Sequence, residues 1–472
     1  MTKNNNTSRR NFLKKAAVGS LAAAVPVVFT NTRLMSAEYR CLNDKIPIGL
    51  IGAGGMGTGN MNSARQWVDV VAIADADMGR AEGANKRLSG GKADVSQDYR
   101  KILDRDDIKV VHIATPDHWH TKPVVEAMLA GKDVYCEKPL TLTIDEGKLI
   151  RKVQKETGRV VQVGTQQRSQ FNLFTKAIAI AQEGRLGRIK KVQCAIGGAP
   201  VSKAIPVAEI PKQLDWDRWL GPAPKVDFRK GEETWTDNKG KTHSRRRNNN
   251  HYEFRWWYEY SGGKLTDWGA HHVDIAIWAL KAAGQSTNIL SIDGTSEHPV
   301  EFKDGMPVQV DRYNTANKFL FTAQVEGGVE VVIRHDTGNG CLIEGDKGRI
   351  FVNRGKLTGK PVEELENSPL PENAIAKAYK NLPMENNERR AHWLNFLHCH
   401  KEGIEPISDV HSHMEMLNLC HLAGISARLG RKINWDAKSE TITGDELANS
   451  MLARPYREGY EIEMKQAAGT AG

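Results

Sequence analysis

The sequence of 472 residues lacks the features of several classes of protein. Beyond the N-terminal segment, it has no apolar run long enough to cross a bilayer, so we expect no membrane-spanning helix. Its six cysteines include no C-x-x-C pair, which argues against a disulfide framework and a paired-cysteine metal site. We expect free, mostly buried thiols. The chain also has no internal repeat and no long low-complexity tract, which leaves an ordinary folded protein of two domains.

The chain beyond residue 37 also has almost no excess of positive charge. The chain carries 66 basic and 57 acidic side chains, a formal net charge of +9. Residues 1–37 contribute six of the basic side chains and no acidic one, so the remainder carries only +3. This balance argues against a nucleic-acid partner. The run Arg245-Arg246-Arg247 is expected to be a solvated loop without a partner.

Residues 1–37 are predicted to be an export signal. Ser8-Arg9-Arg10-Asn11-Phe12-Leu13-Lys14 matches the twin-arginine pattern, and the apolar stretch 16–29 has no polar face that would suit a first helix of the fold. With cleavage placed after Ala37, the protein is expected to be periplasmic or otherwise exported. No lipobox precedes Cys41, so no membrane anchor is expected.

A glycine-rich turn follows the first apolar run of the predicted mature chain. Ile46 to Ile51 is predicted to be a buried strand, and it leads into Gly52-Ala53-Gly54-Gly55-Met56-Gly57, a G-x-G-x-x-G pattern. The three glycines of this pattern permit a tight turn, the approach of a pyrophosphate, and close packing of the next helix. A second strand ends at Asp75, where an acid can accept hydrogen bonds from the adenosine ribose. A turn without a ligand fits this frame poorly, so a bound dinucleotide is predicted. Since no arginine follows Asp75 directly, NAD is favoured over NADP.

The pattern of apolar runs predicts two domains after the signal. Residues 44–165 alternate strands with single helices, which indicates a parallel, doubly wound α/β sheet. Residues 166–472 contain longer strands separated by glycine turns, which indicates an open, largely antiparallel sheet with flanking helices. One face of that sheet is expected to pack on helices and the other to be available to a partner subunit. The predicted strands of this second part are Ile189–Ile196, Asn317–Val325, Val329–His335, Cys341–Glu344 and Arg349–Val352.

Two segments follow strand ends of the first domain, where ligands of doubly wound sheets bind. One is Thr115-Pro116-Asp117-His118-Trp119-His120, and the other is Glu137-Lys138-Pro139. A lysine ammonium at this place can hydrogen-bond a substrate hydroxyl and stabilise an alkoxide. The alternative for Lys138 is a solvated surface side chain. His118 and His120 are each as compatible with a structural role as with a functional one.

A third segment, Gly263 to Asp274, contains an acid and two histidines. If Asp267 opens the predicted helix Trp268–Leu280, its carboxylate lies one turn from His271 on the same face. A carboxylate beside an imidazole raises the pKa of the imidazole, which suits a general base near neutral pH. The alternative makes Asp267 only the N-cap of the helix and His271 a satisfied buried histidine.

Together these motifs resemble the Gfo/Idh/MocA family of oxidoreductases. The resemblance covers the glycine loop, Thr115-Pro116…His120, Glu137-Lys138-Pro139 and Gly263…Asp267…His271…Asp274. It implies a Rossmann domain, a second domain used for a homodimer or homotetramer, and Lys138, Asp267 and His271 as the catalytic residues. The predicted cofactor-binding residues are Gly52, Gly54, Gly55, Met56, Gly57, Asp75, Thr115, Pro116, His120, Glu137 and Lys138.

Aromatic residues in polar surroundings suggest a carbohydrate substrate. Flat rings stack on the C–H faces of sugars, and the predicted substrate-binding residues are Trp256, Trp257, Tyr258 and His272. The alternative is an aromatic core under loops. A metal site is not predicted, because His411 and His413 differ by two positions and point apart on a helix.

Three functions remain open at this stage. The first is oxidation or reduction of a sugar hydroxyl with a tightly bound cofactor, which is loaded before export because the periplasm holds no NAD pool. The second is an NAD-dependent glycosidase that oxidises a hydroxyl, plausibly at sugar C3, eliminates the leaving group and returns the hydride; Tyr258, Tyr260 and His272 are candidates for its extra base. The third is a non-catalytic sugar-binding protein with a vestigial nucleotide site.

Overall fold

The structure, a computed structural model, describes residues 45–462 and Met464. The predicted export signal and Cys41 lie outside the described residues. No helix within these bounds is both long and apolar enough to cross a bilayer.

The first domain is built on six parallel strands. In the sheet they are ordered β3-β2-β1-β4-β5-β6, so the chain reverses its winding direction between β1 and β4. The strands are β1 (Ile46–Ile51), β2 (Val68–Ala74), β3 (Asp94–Ser96), β4 (Val110–Ile113), β5 (Asp133–Cys136) and β6 (Val161–Val163). The predicted parallel, doubly wound sheet is confirmed.

Two of the helices that flank this sheet have clear start and stop signals. The longest begins with a capping box formed by Thr143 and Glu146 and ends at Gly158, which adopts a left-handed conformation with φ of 63°. The helices are α1 (Gly55–Ala64), α2 (Met78–Ser89), α3 (Arg100–Leu103), α4 (Thr121–Leu129) and α5 (Ile144–Thr157). A 3₁₀ turn, Asp117–Trp119, lies between β4 and α4.

The second domain contains a mixed sheet of nine strands, ordered β17-β16-β15-β7-β14-β13-β10-β18-β19. Only the pair β7 and β14 is parallel, so the predicted largely antiparallel sheet is confirmed. The first six strands of this domain are β7 (Ile189–Ala195), β8 (Lys230–Thr236), β9 (Thr242–Asn248), β10 (Ile289–Glu297), β11 (Phe302–Lys303) and β12 (Met306–Pro307). The others are β13 (Lys318–Val325), β14 (Val329–Arg334), β15 (Gly340–Gly345), β16 (Arg349–Val352), β17 (Leu357–Thr358), β18 (Ile433–Asp436) and β19 (Thr441–Ile442).

Residues alternate between buried and exposed along strands such as β13, which shows that only one face of the nine-stranded sheet is covered. Helices pack on that face. The 3₁₀ turn Gln166–Ser169 and the π-turn Phe171–Thr175 lead into α6, and the 3₁₀ turn His251–Trp256 precedes α8. The helices are α6 (Lys176–Gln182), α7 (Trp216–Leu220), α8 (Lys264–Asp267), α9 (Gly269–Ala282), α10 (Lys360–Glu363), α11 (Ala374–Ala378), α12 (Glu388–Glu402), α13 (Val410–Leu429) and α14 (Glu446–Ser450). The core of this domain forms between the sheet and α6, α9 and α13.

Two corrections concern local structure. The arginine run 245–247 is not a loop but lies in β9, which pairs with β8 in a separate two-stranded hairpin. Arg247 forms an ion pair with Glu233 of the facing strand, with 2.6 Å between Nε and Oε2. Asp267 does not open a helix either: it ends α8, and Trp268 is the N-cap of α9.

Candidate active site

The glycine loop between β1 and α1 depends on two positions that admit no side chain. Gly52 has a φ of +93°, and a Cβ atom there would lie 2.6 Å from the carbonyl carbon of Ala114 on the neighbouring strand end. A Cβ atom on Gly57 would lie 2.1 Å from the carbonyl oxygen of Gly52. The first glycine therefore permits the turn, and the last lets α1 pack directly against it.

The N-terminus of α1 suits a phosphate. Gly54 is the N-cap and no side chain caps the helix, so the backbone N–H groups of its first turn have no side-chain acceptor. Gly54, Gly55 and Met56 all line the cavity in front of this helix end. A Cβ atom on Gly55 would have no atom within 4 Å, which leaves open space against the backbone for a pyrophosphate. These residues fit a dinucleotide.

Asp75 shapes the same loop from the end of β2. Its Oδ2 accepts a hydrogen bond of 2.8 Å from the Ala53 amide, and its Oδ1 accepts one of 2.9 Å from the Asp77 amide. Burial raises the pKa of Asp75, and these two hydrogen bonds partly offset the effect. Because Asp75 also lines the cavity, its carboxyl group is placed where the ribose of a dinucleotide would lie.

The cavity has a volume of about 880 Å³ and lies at the carboxyl ends of β1, β2, β4 and β5. Thr115, Pro116, Glu137 and Lys138 form its inner wall, as their positions after strand ends predict. The second domain contributes the outer wall through α7, the segment 251–255, and Gly459 with Tyr460 near the end of the chain. The cavity is therefore shared between the two domains.

Lys138 and Asp267 join the domains by a buried ion pair. The Nζ atom of Lys138 donates to Oδ1 of Asp267 at 2.5 Å and to its main-chain oxygen at 2.9 Å. Arg255, on the cavity wall, lies 3.4 Å from the same Oδ1. Burial acts to raise the pKa of Asp267, but the charges of Lys138 and Arg255 outweigh it and hold the pKa well below its usual range. Asp267 therefore remains a carboxylate that fixes the ammonium of Lys138.

His271 lies one turn beyond Asp267 on α9 and is 5 % exposed. Its pKa is lowered well below its usual value by burial and by the charges of Lys138 and Arg354, against the opposing effect of Asp267. The expectation that Asp267 would raise this pKa is therefore wrong in its net result. Nδ1 of His271 has no hydrogen-bond partner among the described residues. His271 is a neutral imidazole at pH 7 with an unpartnered Nδ1, and like Asp267 it lies behind Lys138 and is not itself on the wall of the cavity.

His120 acts on the site through two loops. Its Nδ1 lies 2.7 Å from the carbonyl oxygen of Pro139, and its Nε2 lies 2.9 Å from that of Thr115. The neutral ring, whose pKa burial lowers, donates a hydrogen bond to one of these two carbonyl oxygens and contacts the other, so His120 connects the segment after β4 to the segment that carries Lys138. The structure therefore gives His120 a positioning role between two loops, and His120 is not among the residues that line the cavity.

Glu137 is held at the cavity wall by two side-chain amides. Asn60 donates to its Oε1 at 2.7 Å, and Gln166 donates to the same oxygen at 3.0 Å. Burial raises the pKa of Glu137, although Lys138 and these amides act in the other direction. Glu137 thus links α1 of the first domain to the start of the second, beside Lys138.

The predicted substrate-binding residues do not line the cavity. Trp256 and Trp257 lie in an aromatic core with residues of α7 and Tyr313, which was the alternative considered for them. Tyr258 lies 3.2 Å from His298 through its hydroxyl oxygen, and His272 is fully buried, 2.9 Å from Asn339. Their neighbours His251, Tyr252, Phe254 and Arg255 form the cavity wall instead.

Asp117 is a site residue that sequence reasoning did not single out. It lines the cavity, and its Oδ2 accepts a hydrogen bond of 2.6 Å from Ser261. Burial raises the pKa of Asp117 to about 7, although Arg255, Ser261 and Lys138 act to lower it. Its position inside the motif after β4 is the sequence signal that could have identified it.

Within residues 45–462, cysteines and histidines away from this cavity form no metal-binding cluster. Five cysteines are free and buried: Cys136, Cys194, Cys341, Cys399 and Cys420. Across the described part of the chain, no three His, Cys, Asp or Glu side chains are grouped closely enough to hold a metal ion.

The fold and the glycine loop define a two-domain protein with a dinucleotide-binding Rossmann domain. The profile of an oxidoreductase family with an NAD-binding Rossmann fold matches residues 46–165, and that of the family's C-terminal alpha/beta domain matches residues 200–462. The chain belongs to the Gfo/Idh/MocA oxidoreductase family.

Comparison with individual proteins gives shorter matches. Glycosyl hydrolase family 109 protein 2 of Shewanella sp. strain ANA-3 is 34 % identical over 160 residues, which cover 29 % of this chain and 35 % of that protein. Levoglucosan dehydrogenase of Pseudarthrobacter phenanthrenivorans is 38 % identical over 121 residues, covering 25 % and 29 % of the two chains. The chain thus spans about a third of the length of these curated relatives.

The fold continues over nearly the whole of a solved relative. The WlbA dehydrogenase from Bordetella pertussis, solved in complex with NADH and UDP-GlcNAcA, superimposes with a TM-score of 0.57. That match covers 84 % of this chain and 99 % of the other at 17 % identity. At this identity the likeness shows the shared fold alone.

Proposed function

We propose that the protein is an NAD-dependent oxidoreductase that acts on a CH–OH group of a sugar or glycoside. The observation that carries this proposal is the ammonium of Lys138, fixed by Asp267 on the wall of the dinucleotide cavity, with the neutral imidazole of His271 one turn away. The similarity to levoglucosan dehydrogenase supports a carbohydrate hydroxyl as the group that reacts.

The roles of the residues follow from their charges. When bound, the nicotinamide ring supplies the acceptor for the hydride. Lys138 donates a hydrogen bond to the reacting oxygen and stabilises the negative charge that develops on it. His271 accepts the hydroxyl proton: the lowered pKa keeps its ring neutral at pH 7 and so able to act as acceptor, although it also makes the imidazole a weaker base. Asp267 holds the ammonium of Lys138 in a single orientation.

A second candidate is the NAD-dependent glycosidase, which requires an additional base for elimination. The similarity to glycosyl hydrolase family 109 favours it. Tyr258, Tyr260 and His272, considered for that base, do not line the cavity, but Asp117 does. A carboxyl group whose pKa lies at about 7 exchanges protons readily at neutral pH, so Asp117 replaces them as the candidate.

A single purified preparation tests these functions. The nucleotide that the protein carries is released by denaturation and identified by mass, with NAD as the expected result. The native protein is then incubated, without added cofactor, with p-nitrophenyl glycosides and free disaccharides. Formation of a ketosugar supports the oxidoreductase, and release of nitrophenol supports the glycosidase. A preparation that carries no nucleotide and binds neither NAD nor NADP in a titration overturns both.

The proposal extends to the location and assembly of the protein. The twin-arginine pattern supports export, which requires the cofactor to stay bound after loading in the cytosol. The C-terminal segment supports such retention: Lys122 of α4 donates a 2.6 Å hydrogen bond to the carbonyl oxygen of Glu461, and the Tyr460 ring lies 5.7 Å from that of Trp119. The open face of the nine-stranded sheet supports a homodimer or homotetramer, which sedimentation of the purified protein tests.

A further inference from the structure

The guanidinium of Arg354 lies beside the candidate catalytic residues, where its Nε edge contacts Gln167 and its face lies over the Trp268 ring. Arg354 lies in the turn between β16 and β17, with its guanidinium carbon 4.9 Å from the centre of the Trp268 ring. With the Gln167 amide oriented to satisfy both of its ends, Gln167 accepts a 3.1 Å hydrogen bond from Nε of Arg354 and donates one of 3.1 Å to the carbonyl oxygen of His271. The guanidinium is therefore anchored next to His271 before any ligand binds.

The outer edge of this guanidinium has no partner of its own. Among the described residues, no carboxylate lies within 4.0 Å of Arg354, and its terminal nitrogens donate no hydrogen bond. The acids that act on it, Glu388, Asp267 and Glu137, do so from a longer distance. An arginine fixed at Nε and open at its two terminal nitrogens is arranged for a planar or tetrahedral anion.

Lys264 is a second unpaired cation beside the same indole. Its Nζ lies 5.4 Å from the centre of the Trp268 ring, and no carboxylate of the described chain lies within 4.0 Å of it. The nearby Asp267 is already shared by Lys138 and Arg255. Positive charge is thus left uncompensated around Trp268, next to His271.

These two cations are separate from those that face the dinucleotide. The cavity in front of the glycine loop is lined by Lys122, Lys138, Arg80, Arg100, Arg218 and Arg255, and neither Lys264 nor Arg354 is on its wall. Lys138 is common to both regions, because it lines the cavity and acts electrostatically on His271 and Lys264. Arg354 and Lys264 therefore lie off the wall of the dinucleotide cavity but within the electrostatic neighbourhood of Lys138 and His271.

We propose that Arg354 and Lys264, together with Trp268, form an anion subsite, and that the carbohydrate substrate carries an acidic group. That group is a carboxylate, as in a uronic acid, or a sulfate ester; both offer the oxygen atoms that a guanidinium recognises. This inference rests on the proposed function, since it names the class of carbohydrate that the oxidoreductase accepts. A neutral sugar offers these two cations no opposite charge, so it gains nothing from them.

Calorimetric binding to the purified holoprotein tests the subsite without requiring turnover. The probes are the pairs D-glucuronate with D-glucose and D-galacturonate with D-galactose, and D-glucose 6-sulfate as the sulfate arm. The acidic member of at least one pair is expected to bind about 10- to 100-fold more tightly than the neutral one, the range that charge-assisted hydrogen bonds supply. Preference for the 6-sulfate over both uronates identifies a sulfate ester, and the reverse order identifies a carboxylate.

Arg354→Gln is expected to remove most of this preference while leaving the affinity for the neutral sugars unchanged. Lys356→Gln is the matched control, because Lys356 lies in the same turn over Phe351, with Nζ 5.4 Å from the centre of that ring. Equal affinity for both members of every pair, the absence of binding by any probe, or an equal loss for acidic and neutral sugars in Arg354→Gln overturns the subsite. Turnover is measured separately: oxidation of neutral and acidic sugars alike contradicts the subsite alone, whereas tight binding without turnover contradicts the proposed function alone.

Discussion

Replacement of Lys138 by methionine tests the ion pair and the proposed chemistry together. Methionine keeps the unbranched chain but removes the charge. With 2.5 Å between Nζ and Oδ1 of Asp267, the attraction is about 7 kcal/mol at an effective dielectric constant of about 20. Desolvation of the two groups offsets several kcal/mol of this. The variant leaves Asp267 buried with only Arg255 at 3.4 Å, so we expect a loss of about 3–5 kcal/mol in the free energy of unfolding.

The double variant Lys138→Met with Asp267→Asn separates stability from catalysis. It lacks both the ammonium of Lys138 and the carboxylate of Asp267, so no member of this pair is left buried alone. Its urea midpoint is therefore expected to return most of the way to that of the wild type. Its turnover is expected to remain about 10²- to 10⁴-fold low, because the group that stabilises the developing oxyanion is still missing. Urea denaturation followed by circular dichroism and a turnover assay on the same preparations measure both quantities.

Lys132→Met is the matched control for this experiment. Lys132 lies at the amino end of β5, opposite to Lys138, and its buried ammonium donates hydrogen bonds of 2.8 and 2.9 Å to the carbonyl oxygens of Arg105 and Ile108. It is expected to lose stability but to keep wild-type turnover. Unchanged turnover in Lys138→Met removes this lysine from the mechanism. A double variant as unstable as the single one refutes the assignment of the lost stability to an unpaired Asp267.

Three further predictions follow from the geometry of the cavity. Gly57→Ala forces a Cβ atom to within 2.1 Å of the Gly52 oxygen and is expected to abolish nucleotide retention, measured by absorbance after purification, whereas Gly59→Ala on the same helix, 3.6 Å from its nearest atom, keeps it. The pKa of Asp117, raised to about 7, means that the folded protein holds a proton that the unfolded chain releases, so stability falls as the pH rises from about 4 to 7; Asp117→Asn is expected to remove a loss on the order of 4 kcal/mol, and equal urea midpoints of variant and wild type at pH 8 contradict it. His120→Ala removes the hydrogen bond that the ring donates to one of two buried carbonyl oxygens and is expected to cost about 2 kcal/mol in urea denaturation, while retained stability contradicts the role of His120 as a link between loops.

The Rossmann domain could be predicted from the sequence because its signals are local. Each buried strand is a short apolar run, and the steric demands on Gly52 and Gly57 come from atoms within the same turn or the adjacent strand end. Lys138 and Asp75 could be placed for the same reason, since each directly follows a strand whose direction in the sheet is fixed by the α/β pattern.

The hairpin of β8 and β9 could not be predicted in this way. Both strands are polar on both faces, so no alternation of apolar residues marks them. Their register instead places Glu232 opposite Arg246 and Glu233 opposite Arg245. Opposite charges on facing strands stabilise such a hairpin, but the pairing partners are visible only once the strands are aligned. The arginine run therefore resembled a solvated loop.

The burial of Trp256 and Trp257 could not be predicted for a different reason. Polar neighbours in the sequence do not show what packs against a side chain in space. Trp256 and Trp257 are 4 % and 2 % exposed, since Trp216, Trp219 and Phe228 from distant segments surround the same volume. The sequence contained enough aromatic residues for a core and for a binding surface, and only the tertiary packing decides which residues serve each.

The direction of the pKa shift at His271 also depends on tertiary contacts that the sequence does not show. Asp267 raises that pKa as its spacing predicts, but burial of the ring lowers it more, and Lys138, which arrives from the other domain and pairs with Asp267, lowers it further. Two helical turns separate Asp267 from Asp274, and Asp274 forms a second buried ion pair, with 2.6 Å to Arg168. His271, on α9, lies between Asp267 at the end of α8 and Asp274 on α9. Its position and its neutral state therefore depend on the packing of the two domains, so a change that tilts α9 should alter proton transfer before it alters nucleotide binding.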